Sequence, residues 1–158
     1  MLKIFLPLIL VFFFLLNSCK KNEPDFSKFD YITFGHFYGM CSGEECVEIF
    51  RLEKDVLLED TLDLYPNFDN FYNGSYIELS QQKFTEVNDL RCSFPMDLLN
   101  ESTKVFGTPD AVDQGGIYLG FKYNGTEKFF LFDNFKSNVP VKYHVFIDKI
   151  NEKIELLK

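Results

Sequence analysis

The stretch around Asn124-Gly125 limits the possible folds more than any other part of the chain. Ile117, Leu119, Phe121 and Tyr123 alternate with other residues before this pair, and residues 128–133 turn apolar again after it. Period-two alternation marks a strand with one face buried. Asn-Gly accepts the two positive φ angles of a type I′ turn, whose twist suits the strands it joins. The two runs are therefore predicted to pair as an antiparallel hairpin.

Other segments extend this reading. Residues 30–39 alternate, with Ile32, Phe34, His36 and Tyr38 on one face and Tyr31, Thr33 and Phe37 on the other. Residues 46–53 and 56–61 are strand candidates joined by Lys54-Asp55, and 76–79 form a short strand. Ser80 is placed to cap a helix running to about residue 90, with Phe84 and Val87 inward. A shorter helix is expected over 94–101, where Pro95 takes a first-turn position. From 139 onward, Tyr143, Ile147, Ile150, Ile154 and Leu157 recur at helical spacing and define an amphipathic terminal helix. The expected fold is α+β: an antiparallel sheet of about 4–6 strands, two or three helices, and the C-terminal helix packed on the sheet.

Composition narrows the function classes. Apolar residues make up 46% of the chain and aromatics 18%, which excludes a disordered tail or a collagen-like rod. The net charge of −8 lacks the basic footprint that a generic nucleic-acid binder needs.

Before the strands, Lys3 precedes an apolar run over residues 4–16, interrupted by Pro7. A spanning helix needs about 20 apolar residues, so this run fits the core of a secretory signal instead. It closes on Leu16-Asn17-Ser18-Cys19, followed by Lys20-Lys21-Asn22. This arrangement resembles the lipobox of bacterial envelope lipoproteins: an aliphatic residue three before a cysteine, then small or polar residues, then the cysteine. The resemblance implies cleavage between Ser18 and Cys19 and a diacylglyceryl group on the Cys19 sulfur. It also implies a signal peptide over 1–18, a lipidated tether over 19–29 and one domain over 30–158. Two or more acyl chains, each buried methylene contributing about 0.8 kcal/mol, hold such a domain on a bilayer. The implied location is the cell envelope, on the outer membrane of a Gram-negative cell.

With Cys19 spent on lipid, Cys41, Cys46 and Cys92 remain. An oxidising compartment favours one disulfide and one leftover thiol. Cys41–Cys46 is the favoured pair because both flank one short glycine-containing turn, with Cys46–Cys92 as the alternative. The four-residue gap between Cys41 and Cys46, with His36 nearby and Cys92 as a further ligand, also fits a soft-metal set, at the loose end of the usual spacing. Packing of His36 among the apolar residues of its face is the preferred reading, and no cofactor is expected. Residues 34–52 resemble a glycine- and cysteine-containing strand–turn motif of small envelope lipoproteins, a likeness that implies no activity.

The remaining candidates are weaker. Asp110 and Asp113 could chelate calcium, but Pro, Asp and Gly-Gly together are ordinary turn chemistry. No Gly-x-Ser-x-Gly elbow, phosphate loop or dinucleotide fingerprint is present. A Cys–His pair would have to be Cys92 with His36 or His144. Glu44-Glu45 reads as a solvated turn. Tyr65, Phe68, Phe71, Tyr72 and Tyr76 either contact a sugar or peptide or anchor a long loop to the core, and anchoring is commoner. The triplets at Asn73, Asn100 and Asn124 are chance glycosylation matches in a bacterial chain. The leading expectation is a membrane-anchored, non-catalytic domain that binds an envelope protein or small ligand. A Cys/His hydrolase or a cysteine-based metal or redox module is the alternative.

Overall fold

The computed structural model describes residues 26–158. The signal segment, Cys19 and most of the expected tether lie outside the described residues. After a single 3-10 turn, four strands follow in a meander: β1 (Phe29–Phe37), β2 (Val47–Glu53), β3 (Leu57–Asp60) and β4 (Tyr76–Glu78). Next come helix α1 (Gln81–Val87), strands β5 (Val105–Phe106), β6 (Gly116–Tyr123) and β7 (Thr126–Asp133), and helix α2 (His144–Leu157). The sheet order is β4-β3-β2-β1-β6-β7-β5, so β6 returns to the centre beside β1.

The β6–β7 hairpin turns at Asn124 and Gly125, with φ of 49° and 76°. Tyr123 pairs with Thr126 across the turn. The α+β class and a C-terminal helix packed on the sheet are observed. The strand count and the all-antiparallel sheet are corrected: the described residues form a sheet of seven strands, and β5 runs parallel to β7. Two residues are too few for a period-two pattern to show, so β5 left no trace in the sequence.

The helices are also shorter than their patterns suggest. Ser80 caps α1 by accepting from the Lys83 amide (3.3 Å). The chain then tightens into 3-10 geometry over Asn88–Ser93, where Asn88 and Asp89 are poor helix formers. Instead of a helix over 94–101 there is one 3-10 turn, Met96–Leu99, preceded by Pro95. The Glu101 carboxylate accepts from the amides of Ser102 and Thr103, which diverts the chain from helical pairing. Among the described residues no helix is long and apolar enough to cross a membrane.

Both faces of the sheet are apolar. On one, α2 presses Phe146, Ile147, Ile150 and Ile154 onto Phe34, Phe50, Leu119 and Phe130, all 2% exposed or less. Lys153 on the same helix is buried and bonds Asp89 (2.7 Å) and the Glu86 carbonyl (2.7 Å), joining α2 to the segment after α1. The other face holds Phe37, Ile49, Tyr118, Phe129 and Leu131, with Phe68, Phe71 and Tyr72 laid over it. Those last three belong to the irregular stretch 61–75, which serves as the second covering layer. Gly120 makes room for it: a Cβ there would lie 2.9 Å from the Phe71 ring.

Ile150 is fully buried under α2. Ile150→Asp buries an unpaired carboxylate at a cost of several kcal/mol, against a typical total stability of about 5–15 kcal/mol. Thermal melting followed by circular dichroism should show loss of the cooperative transition. An unchanged midpoint would mean that α2 adds nothing to the core.

Candidate functional site

An irregular layer has no ladder to hold its amides in place, so it needs acceptors of other kinds. Asp60, at the end of β3 and only 3% exposed, is the main one. Its Oδ2 accepts from the Leu62 amide (3.2 Å), the Asp63 amide (3.1 Å) and the Tyr72 hydroxyl (2.5 Å). Its Oδ1 accepts from the Ser75 amide (2.6 Å). Tyr72 in turn donates its amide to the buried Tyr118 hydroxyl (3.0 Å). Burial, and then the bond to Asp60, push the Tyr72 phenol well above its ordinary range. Tyr65 and Phe68 stack on each other, and both rings meet Phe37 edge-on.

Two further aspartates work in the same way. Asp110 accepts from the Gly39 amide (2.7 Å), the Tyr65 hydroxyl (2.9 Å) and the Gly115 amide (2.9 Å). Its oxygens are thus occupied by protein donors, and Asp113 stands exposed with a positive φ of 61°. Asp133, fully buried, accepts from Thr108, Gln114, Phe135 and Asn138. Burial raises its pKa, but those bonds outweigh it and bring the carboxyl down to about 2. Among the described residues no group of three or more His, Cys, Asp or Glu is placed to hold a metal ion.

The thiols and histidines are likewise engaged. Cys41 and Cys46 form a disulfide, with Cα atoms 5.6 Å apart, so neither sulfur is a thiolate ligand. Cys92 is engaged as well. His36, on central β1, donates from Nε2 to the Glu45 carbonyl (3.0 Å), and burial holds its pKa below the ordinary value. His144, at the start of α2, donates to the Val139 carbonyl (2.9 Å). Glu45 is exposed.

What the fold leaves open is a groove beside β7. Strand β5 covers only Leu131 and Phe132 on the outer edge of β7, so the earlier part of that edge faces a hollow of about 520 Å³. Phe71 and Phe129 line it together with Asn70, Ser102, Lys104 and Glu127. Lys104 places its ammonium 4.9 Å over the Phe129 ring. Lys128 closes one end by donating to the carbonyls of Leu99 (2.6 Å) and Glu101 (3.2 Å). Three separate stretches build this groove, which is why no single motif announced it. No protein-family model matches the chain, and no curated protein is similar to it in sequence.

Glu48 also escaped the sequence reading. It sits on β2, directly across the ladder from His36. Burial first, then the charges of Glu59, Asp63 and Glu45, push its carboxyl from 4.5 to about 7. A carboxyl whose pKa is raised by folding favours the fold while protonated, and that contribution is lost as pH rises through the folded value. Glu48→Gln should therefore raise the melting temperature relative to wild type at pH 8, with the gain vanishing at pH 4. A gain of equal size at both values would show that Glu48 titrates normally.

Proposed function

We propose that the chain is a lipid-anchored, non-catalytic binding domain of a bacterial envelope. It is tethered through Cys19 and offers the groove beside β7 to a small ligand. The groove is the observation that carries the binding role. Its volume lies within the range of about 300–1,000 Å³ typical of small-molecule sites, and it pairs aromatic walls with a few polar groups. The side chains best suited to catalysis are engaged elsewhere. His36 and His144 bond backbone carbonyls, and Asp60, Asp110 and Asp133 hold loops. A Cys–His hydrolase has less behind it, since both histidines bond backbone carbonyls. The anchor rests on Leu16-Asn17-Ser18-Cys19 at the close of a short apolar run.

Lipidation uses the Cys19 sulfur and so excludes a disulfide through it. Mass spectrometry of the N-terminal peptide from membrane-extracted protein should show a diacylglyceryl thioether on Cys19. Cys19→Ala should leave the precursor uncut or release the protein from membranes. A Cys19 peptide found in disulfide linkage, or a variant that matures and partitions into detergent as wild type does, would refute the anchor. For the binding role, native mass spectrometry of the same extract should reveal a bound small molecule that Lys104→Glu displaces. Identical adduct-free masses for both proteins would remove that role.

A further inference from the structure

The groove beside β7 is bounded by a strand edge as well as by side chains. Tyr123 pairs with Thr126 across the two-residue turn, so Thr126, Lys128 and Phe130 direct their backbone groups toward β6. Glu127, Phe129 and Leu131 direct theirs outward. Leu131 bears this out, since its amide donates to the Lys104 carbonyl (2.8 Å) on the open side. Strand β5 begins at Val105 and pairs only with Leu131 and Phe132. Among the described residues no backbone group bonds the outward amides and carbonyls of Glu127 and Phe129. Each of these residues therefore offers one N–H and one C=O to the hollow.

The fold holds this edge open. The Glu101 carboxylate takes the Ser102 and Thr103 amides, which turns them away from the ladder that β5 begins. The Lys128 ammonium holds the Leu99 and Glu101 carbonyls, so that stretch forms a far wall instead of a paired strand. Charged side chains commonly guard an edge strand against added strands. Here those charges are engaged within the fold. The Glu127 carboxylate reaches back across β6 to accept from the Tyr31 hydroxyl (2.5 Å), and Lys128 is held by its two carbonyls. Hollows flank the edge on both faces of the sheet. The larger contains Phe71 and Phe129; a second of about 360 Å³, on the α2 side, is lined by Leu99, Phe121 and Tyr123 and shares Lys128.

We propose that the ligand of this groove is a short peptide in extended conformation, which adds to the outer edge of β7 as a strand in line with β5. The proposal rests on the reading of the groove as a binding site and narrows the ligand. The spacing of the free groups sets the occupant. Donor and acceptor pairs on alternate residues match an extended backbone, whose own groups alternate in the same way. Successive side chains of that strand point to opposite faces. One enters the hollow against Phe71 and Phe129, and the next enters the hollow beside Leu99 and Tyr123. Both hollows have apolar walls, so the peptide carries apolar side chains at neighbouring positions.

The test is a titration of the isotope-labelled full chain in detergent micelles with a capped pentapeptide of alternating valine and threonine, which is uncharged and favours extended backbone. The amide resonances of Glu127 and Phe129 should shift, saturate and become protected from exchange, while Leu131, already bonded, keeps its exchange rate. The same peptide methylated on every backbone nitrogen has no donors left and should bind about tenfold or more weakly. Glu127→Pro removes one outward amide without touching the β6 ladder and should also weaken binding. If that variant fails to fold, the methylated peptide alone decides. No saturation by the parent peptide, equal binding by the methylated one, or protection of Glu127 and Phe129 that grows with protein concentration, as pairing of two copies would give, overturns the assignment. A non-peptide adduct in membrane-extracted protein that Lys104→Glu displaces would overturn it too, while leaving the groove's binding role in place.

Discussion

The Asp60 carboxylate is the interaction on which the rest of this structure depends. A sheet that is apolar on both faces must be covered twice, and the described residues supply only one long helix. The second cover is residues 61–75, which form no ladder of their own and still bury Tyr72 against the sheet. Three amides and one hydroxyl of this layer converge on the two oxygens of Asp60. Without that acceptor the buried Tyr72 hydroxyl would be unpaired, at a cost of about 1–3 kcal/mol, and the Leu62, Asp63 and Ser75 amides would lose their common anchor. Asp110 then ties Tyr65 of the same layer to Gly39 and Gly115, so one network fixes the loops at that end of the sheet.

The same layer positions the candidate binding place. Phe71 packs between Tyr31, Tyr118 and Phe129, so its ring walls the β7 groove on one side and meets Tyr31 on the other. Glu127 lines the groove and accepts from the Tyr31 hydroxyl (2.5 Å). Loss of order in residues 61–75 would remove one wall of the groove. Three of the 24 acidic residues are thus structural: Asp60, Asp110 and Asp133 organise loops rather than present charge to a partner.

The sequence was most legible where local chemistry and burial agree. Asn124-Gly125 and its flanking alternation located the β6–β7 hairpin, and the stripe from Tyr143 to Leu157 located α2 and its buried side, because each pattern repeats often enough to outweigh local noise. The aromatics of residues 65–72 were readable as anchors, though not as the entire cover of a sheet face. Strand β5 was invisible because its two residues pair only through a partner 26 positions away in register, Val105 with Leu131. The helix expected over 94–101 failed because Glu101 bonds the following amides, a local competition that apolar spacing does not report. The groove is legible only in three dimensions, because three separate stretches build it.

Amide hydrogen exchange on the full chain tests most directly whether residues 61–75 are a structural layer held by Asp60. The amides of Leu62, Asp63, Tyr72 and Ser75 are expected to exchange slowly, with protection approaching that of β1 and β6, and Asp60→Asn is expected to release them together. Exchange of these four amides at the rate of an open loop, while β1 and β6 stay protected, would contradict the two-cover architecture.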